Sequence, residues 1–149
     1  MHPATTEGYE VLATWLPDQA ATLRWAGPRV TFPFHASGLE RQLQVAGSKS
    51  YALRRQSETL AFGQHWVTAP SSVHLGRLIV APGHRGKGLG RELYQHLMAA
   101  GKAASGARSV TLRVYRDNTM VLALYLSLGF QVEAEERDGQ VLAMRLNDA

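Results

Sequence analysis

Apolar residues recur at helical spacing in the first third of the chain, every three or four positions, which is the repeat of a helix with one buried face. Polar residues that can cap a helix precede these blocks, and proline or glycine follows them. The pattern predicts three short helices, over residues 9–16 with Thr5 or Thr6 as the cap and Pro17 as the stop, over residues 19–25 with Asp18 as the cap, and over residues 38–44 with Ser37 as the cap.

Short apolar runs typical of strands dominate the rest of the chain, with two helical blocks between them. Leu89, Leu93 and Leu97 lie four apart and mark one helix, and a second is predicted over residues 119–128. The predicted strands cover residues 50–55, 59–68, 73–80 and 109–115, followed by a hairpin of 130–137 with 140–146. No repeat or linker interrupts this order, so the sequence indicates a single α/β domain over residues 1–149, built on a twisted sheet.

A glycine-rich basic turn joins the strand at 73–80 to the helix that begins near Leu89. Glycines at 86, 88 and 90 let the backbone point its N–H groups outward and leave room for close approach. The helix start adds unpaired amides and the positive end of its dipole. The nearby charged side chains are all basic until Glu92, and they are Arg77, Arg85, Lys87 and Arg91. The turn is therefore predicted to bind a diphosphate.

Two common phosphate-binding loops do not fit this turn. A nucleotide triphosphatase loop requires Gly, four residues and then Gly-Lys-Ser/Thr, which the chain lacks. A dinucleotide fingerprint requires Gly-x-Gly-x-x-Gly, whereas these glycines are spaced two and two. The spacing that fits is Arg85-x-x-Gly88-x-Gly90, preceded by Val80-x-Pro82.

This turn resembles the acetyl-coenzyme A loop of the GNAT N-acetyltransferase superfamily. Residues 118–130 are similar to a second segment of that family, Asn-x-x-Ala-x-x-Leu-Tyr-x-x-x-Gly-Phe, and depart from it only at Val121. The resemblance extends from about Val73 to Leu146. It implies a mostly antiparallel twisted sheet with a splayed parallel strand pair, flanked by helices. It also implies transfer of an acetyl group from acetyl-CoA to a primary amine of a small molecule, a peptide or a protein, and allows a homodimer.

The resemblance assigns the cofactor to three parts of the chain. Main-chain amides of the turn would hold the diphosphate, and the side chains of Arg85 and Lys87 would either add charge or remain solvated. The exposed main chain of the preceding strand would bond pantetheine and polarise the thioester carbonyl. Asn118 would contact the cofactor or cap its helix. The full predicted cofactor set is Leu78, Ile79, Val80, Arg85, Gly86, Lys87, Gly88, Leu89, Gly90, Arg91, Asn118 and Tyr125.

Tyr125 is the candidate general acid, because a phenol keeps its proton at pH 7 and can pass it to a departing thiolate. Its alternative is a half-buried aromatic of the helix. The base is open. Many relatives use a glutamate on a central strand, but the corresponding position here is Arg113, and Glu40 and Glu58 have no predicted place. His74 is a candidate that would accept a proton directly or through water, or be a structural histidine, and the family also tolerates having no dedicated base.

Composition narrows the remaining possibilities. The chain is 45% hydrophobic and 19% charged, as in soluble globular proteins, and it has no membrane-length apolar run or secretory leader, so we expect a cytoplasmic protein that binds no membrane. The lack of cysteine excludes a thiol nucleophile, which favours direct transfer. The net charge of +4 suits a polyanionic cofactor better than nucleic acid, since basic and aromatic residues are not interleaved. The histidine spacing predicts no metal site. A catalytically silent acyl-CoA sensor of the same fold remains the alternative.

Overall fold

The computed structural model describes residues 1–147, which form a seven-stranded sheet with helices on both faces. The sheet order is β1-β2-β3-β4-β5-β7-β6. The strands are β1 (His2–Pro3), β2 (Lys49–Arg55), β3 (Glu58–Ala69), β4 (Ser72–Val80), β5 (Ser109–Tyr115), β6 (Gln131–Glu136) and β7 (Val141–Asn147). The helices are α1 (Thr6–Thr14), α2 (Gln19–Ala26), α3 (Ala36–Gln42), α4 (Leu89–Ser105) and α5 (Thr119–Ser127), and a short 3-10 turn covers Pro82–His84.

Two of the predicted helix caps are confirmed and one is wrong. Thr5 accepts a hydrogen bond from the Gly8 amide at 3.2 Å, and Asp18 accepts one from the Ala21 amide at 2.8 Å. Helix α3 instead begins after His35, and Ser37 lies inside its first turn. The fully buried side chain of Leu39 anchors this helix, so packing rather than a polar cap sets where it starts.

Neighbouring strands run antiparallel except β4 and β5, whose parallel pairing covers three positions and then stops. The paired residues are Ser72 with Ser109, Val73 with Val110, and His74 with Thr111. Beyond them the two strands diverge and leave a wedge between residues 75–80 and 112–115. The predicted mixed sheet with a splayed parallel pair is therefore confirmed.

The sheet separates two hydrophobic cores. We call the side that carries α4 and α5 the near face and the side that carries α1 to α3 the far face. The near core joins α4 to the central strands through residues such as Leu93, Leu97 and Leu112, and the far core packs Leu12, Leu39 and Leu43 of the short helices against Phe62. In the described part of the chain, no helix is long and apolar enough to cross a bilayer.

Two glycines allow close packing, one between α4 and the sheet and the other beside a tryptophan of the neighbouring strand. A Cβ at Gly63 would lie 2.4 Å from Leu97 Cδ1, so α4 sits directly on β3 at this point. A Cβ at Gly76 would lie 2.4 Å from the Trp66 ring, so the indole of β3 extends across β4 on the far face. A larger side chain would push α4 away from β3 at Gly63 and would displace the Trp66 ring at Gly76.

Candidate active site

The wedge between β4 and β5 opens a cleft of 1180 Å³ that residues from both sheet faces line. This is somewhat larger than the roughly 300 to 1000 Å³ of ordinary small-molecule sites. Most of the predicted site residues line it, namely His74, Leu78, Ile79, Val80, Arg85, Gly86, Leu89, Gly90, Asn118 and Tyr125. Lys87, Gly88 and Arg91 belong to the same turn but are not part of the cleft wall.

A β-bulge bends β4 at the point where the wedge begins. The pairing of β3 with β4 shifts register between Phe62 and Gln64, opposite Arg77. Arg77 has a φ of 55°, a left-handed conformation that is uncommon for a residue with a side chain. Because a bulge bends its strand and increases the local twist, it accounts for the divergence of β4 from β5.

The main chain of β4 faces the wedge at alternate residues. The Ala81 amide donates to the Leu60 carbonyl at 2.8 Å, so Ile79, two residues earlier, also directs its main-chain polar groups toward β3. Leu78 and Val80 direct theirs the other way, where β5 no longer pairs with β4. The cleft therefore contains a short strand edge that could bond an extended ligand carrying amide groups.

The glycine-rich turn ends β4 and starts α4 without a side-chain cap. Gly86 and Gly88 have φ values of 78° and 81°, and Gly88 is the N-cap residue. The first helical hydrogen bond is donated by Glu92 to the Gly88 carbonyl, which leaves the amides of residues 89–91 without a helical acceptor. Gly90 lies in the first turn of α4 and has no positive φ, and its amide is one of the three without a helical acceptor. A Cβ there would meet nothing within 4 Å, so the space beside this residue is open.

Arg85 and Lys87 differ in their contacts. The Arg85 Nε donates to the Val80 carbonyl at 3.2 Å, which ties the turn back to the end of β4. Lys87 is exposed. On the same turn, the His84 Nε2 lies 2.7 Å from the Glu58 carboxylate, which places a residue that the sequence left without a position.

Tyr125 lies under the near face of the cleft and is 6% exposed. Its ring packs against Tyr94 and Phe130, with centroids 5.9 and 5.7 Å away. Burial raises the pKa of Tyr125 well above its ordinary value, and Tyr94 adds to this effect, so the phenol is protonated at neutral pH. Within residues 1–147 its hydroxyl has no hydrogen-bond partner and is not sealed from the cleft, whereas the Tyr94 hydroxyl donates to Met98 Sδ at 3.0 Å.

Asn118 occupies the N-cap position of α5, but its side chain makes no capping hydrogen bond. The side chain is exposed and lines the cleft. Its alternative role as a side-chain cap is therefore not observed, and its amide is available to a ligand.

His74 is buried on the far face of β4, with its ring 5.0 Å from that of Trp66. Its Nδ1 lies 2.8 Å from Thr111 Oγ1 on β5, at the last paired position before the strands diverge. Burial lowers the pKa of His74 to about 4, and the positive charges of Arg113 and Arg77 act in the same direction while Glu136 opposes them. The imidazole is therefore neutral at physiological pH.

The structure adds an acidic residue that sequence reasoning missed. Glu136, at the end of β6, lies 2.6 Å from the Arg113 Nε and lines the cleft. The hydrogen bond from Arg113 lowers the pKa of the Glu136 carboxyl. A carboxylate is thus supplied from a distant hairpin, next to the arginine that replaces the expected glutamate of β5. Its separation along the chain from β4 and β5 left no local signal.

Contacts across the open end of the cleft join α2 to the end of β5. Arg24 pairs with Asp117 at 2.5 Å, and its Cζ lies 4.4 Å from the centre of the Tyr115 ring. The Arg137 Nη1 donates to the Tyr115 hydroxyl at 2.7 Å. These contacts hold the far side of the wedge together. Over the described residues, no group of three or more His, Asp or Glu side chains is arranged to bind a metal ion.

Part of the chain is similar in sequence to known acetyltransferases. Over 72 residues the chain is 39% identical to the N-alpha-acetyltransferase 40 of Saccharomyces cerevisiae, covering 44% of this chain and 25% of that protein. Over 78 residues it is 38% identical to a 5-NmdU N-acetyltransferase of Pseudomonas phage PaMx11, covering 52% of each. The matched regions thus span a quarter and about half of these curated relatives.

The fold matches solved structures over nearly its whole length. A spermidine N-acetyltransferase from Vibrio cholerae, solved with CoA and spermine, superposes with a TM-score of 0.79 at 16% identity, covering 99% of this chain and 94% of that one. At this identity the match shows the shared fold. The model of the acetyltransferase (GNAT) family matches residues 12–130, which include the glycine-rich turn, both diverging strands and Tyr125. The chain therefore belongs to the GNAT acetyltransferase family.

Proposed function

We propose that this protein transfers the acetyl group of acetyl-CoA to a primary amine by direct attack in a ternary complex. The observation that carries the proposal is the divergence of β4 from β5 beside the uncapped start of α4. One cleft thus contains both the main-chain amides left without helical acceptors at the start of α4 and an unpaired strand edge. Family membership and the CoA bound to the Vibrio cholerae relative support the same donor.

The turn would hold the diphosphate through main-chain amides of residues 86–91, with Asn118 as a further contact. Arg85 would steady the turn through its bond to Val80, and Lys87 would add positive charge nearby. Leu78 and Val80 would bond the amide groups of pantetheine, because their main chains face the wedge. The Val80 N–H would then polarise the thioester carbonyl as an oxyanion donor.

Tyr125 would protonate the departing sulfur. As the amine nitrogen bonds to the carbonyl carbon, the carbon–sulfur bond breaks and the thiolate takes the phenolic proton. The proton that the amine loses to water would then restore the phenol, so that no net proton is consumed. A phenol of raised pKa is a weaker acid than free tyrosine, which by itself makes this transfer less favourable. A thiolate leaving in the same apolar surroundings also binds its proton more tightly, so the two effects oppose each other.

His74 would receive a hydrogen bond from the attacking amine. When Nδ1 donates to Thr111 Oγ1, Nε2 carries the lone pair, and it has no other partner in the described chain. With a pKa of about 4, His74 would orient the amine and pass its proton to water rather than keep it. The amine must then bind in its neutral form, so turnover should rise with pH toward the pKa of the amine.

Binding and turnover test the proposal separately. Calorimetry of the purified protein with CoA and acetyl-CoA should detect binding of both, and a thiol-release assay over a panel of primary amines should detect turnover. Binding without turnover of any amine would favour the acyl-CoA sensor. No binding by a folded protein would overturn the assignment of the cleft.

A further inference from the structure

On the far side of the cleft, the arginine side chains outnumber the carboxylates that could neutralise them. Arg24 and Arg113 are paired there with Asp117 and Glu136. Three other guanidinium groups, of Arg29, Arg77 and Arg137, line the same cleft and form no salt bridge with a carboxylate in residues 1–147. Arg137 still lies near enough to Glu136 for its charge to help lower the pKa of that carboxyl. The acceptor side of this cleft is therefore cationic.

Arg77 is the most constrained of the three. It is half-buried, and its Nη1 donates to the Leu43 carbonyl at 2.9 Å and to Gln64 Oε1 at 3.0 Å. Its Cζ lies 5.6 Å from the centre of the Trp66 ring. All of these partners are neutral. A guanidinium removed from water without a carboxylate partner is costly, and such groups are typical of sites that bind an anionic ligand.

Arg29 adds a second unpaired charge close to the first. It lies on the exposed segment between α2 and α3 and lines the same cleft. Burial of the Arg77 side chain lowers its pKa, and the positive charge of Arg29 acts in the same direction. Two like charges facing one cavity repel each other, and a bound anion between them would remove that repulsion.

This arginine pair is separate from the predicted diphosphate site. Arg77 donates to Gln64 Oε1 and to the carbonyl of Leu43, the residue that ends α3 on the far face, while the glycine-rich turn leads into α4 on the near face. A ligand held by Arg77 and Arg29 would thus lie on the far side of the wedge from the start of α4, where the attacking amine must enter.

We propose that the acceptor amine also carries an anionic group, a carboxylate or a phosphate, which Arg77 and Arg29 bind on the far face. This inference rests on the proposed acetyl transfer and specifies its substrate class. It separates this protein from a polyamine acetyltransferase, because a second cationic centre on the acceptor would meet unpaired guanidinium groups.

Matched acceptors test the charge preference directly. The pairs are an amino acid and its amide, and 2-aminoethyl phosphate and ethanolamine, with spermidine as the cationic comparison and amino acids of several amine-to-carboxylate spacings. Binding to the protein–CoA complex is measured by calorimetry, and kcat/KM with acetyl-CoA. We expect at least one anionic acceptor to exceed its neutral partner by about tenfold or more, as for a charge-assisted hydrogen bond. The carboxylate and phosphate arms show which anion is used.

Variants of Arg29 test whether the preference for anionic acceptors comes from this site. Arg29→Gln should reduce the ratio of anionic to neutral acceptor about tenfold through a higher KM for the anionic one, and Arg29→Lys should restore part of it. Arg41→Gln, on the exposed face of α3 outside the cleft, is the matched control and should leave the ratio as it is.

The possible failures are distinguishable. CoA binding and acetylation of amines with equal or better use of neutral amines or spermidine would overturn the anion site alone. An unchanged preference ratio in Arg29→Gln would also overturn it. A protein that binds neither CoA nor acetyl-CoA would overturn the proposed function together with this inference.

Discussion

The near and far sides of the cleft, named after the sheet faces to which they belong, present positive charge to a ligand by different means. The near side uses main-chain amides, which a turn with two left-handed glycines directs outward and which carry no titratable proton. The far side uses side chains from several strands, and its neutral histidine and guanidinium groups depend on burial and on one another. A main-chain site is fixed by backbone conformation, whereas a side-chain site changes with pH and with single substitutions. In the proposed reaction the near side would therefore suit an invariant co-substrate and the far side a particular acceptor.

The largest expected effect is a loss of folding stability at acid pH, which tests the far side of the cleft. Folded His74 has a pKa of about 4, whereas an unfolded histidine titrates near 6.5, so between these values only the unfolded chain gains the proton. Stability should be full above pH 6.5 and fall as the pH drops to about 4, by about 3 kcal/mol from this residue. Urea unfolding at neutral and acid pH measures the loss, and His74→Gln should reduce it.

His96→Gln is the matched control, because His96 is exposed on α4. His96→Gln should keep the pH dependence of the wild type, and His74→Gln should keep a smaller one, since burial also lowers the pKa of His65. Equal slopes for His74→Gln and the wild type would show that the far side does not depend on a neutral imidazole.

A somewhat smaller effect tests the near side. Tyr125→Phe removes the only polar atom of a side chain whose ring is packed by Tyr94 and Phe130, so the fold should persist. We expect turnover to fall at least tenfold, about 1.4 kcal/mol or more of lost transition-state stabilisation, while acetyl-CoA binding persists. Steady-state kinetics and calorimetry measure the two quantities. Unchanged turnover would remove Tyr125 from the mechanism and leave it a packing residue.

The smallest effect isolates the backbone of the near side. Gly88 and Gly106 lie at opposite ends of α4 with φ values of 81° and 69°, and a Cβ at either would meet nothing within 4 Å. Alanine at each position should therefore cost a similar 1 kcal/mol or so in stability through the left-handed conformation. Only Gly88→Ala should also weaken CoA binding, because only that end would hold the diphosphate. Equal CoA affinities in the two variants would contradict a main-chain anion site at this turn.

The near side was predictable from sequence because its chemistry is local. Residues 85–91 contain the turn, its glycines and the helix start in one run, and the segment at 118–130 places Tyr125 on the following helix. Family resemblance also predicted the mostly antiparallel sheet and its diverging parallel pair.

The far side was not predictable in the same way. Arg77 takes its position from a bulge that has no sequence signature, and Glu136 reaches Arg113 only because β6 and β7 fold back beside β5. The cap at Ser37 failed for a related reason, since burial of Leu39 decides where α3 begins. Side chains that only the tertiary structure brings together have no characteristic spacing in the sequence.

The brief pairing of β4 with β5 has a kinetic consequence. Because the gap between these strands passes from one face of the sheet to the other, the thioester and the amine of the proposed reaction would have separate entrances, and the arrival of one need not obstruct the other. Initial-rate plots at several fixed acceptor concentrations should then intersect rather than run parallel, the behaviour of an enzyme that holds both reactants at once and keeps no acetylated form of its own.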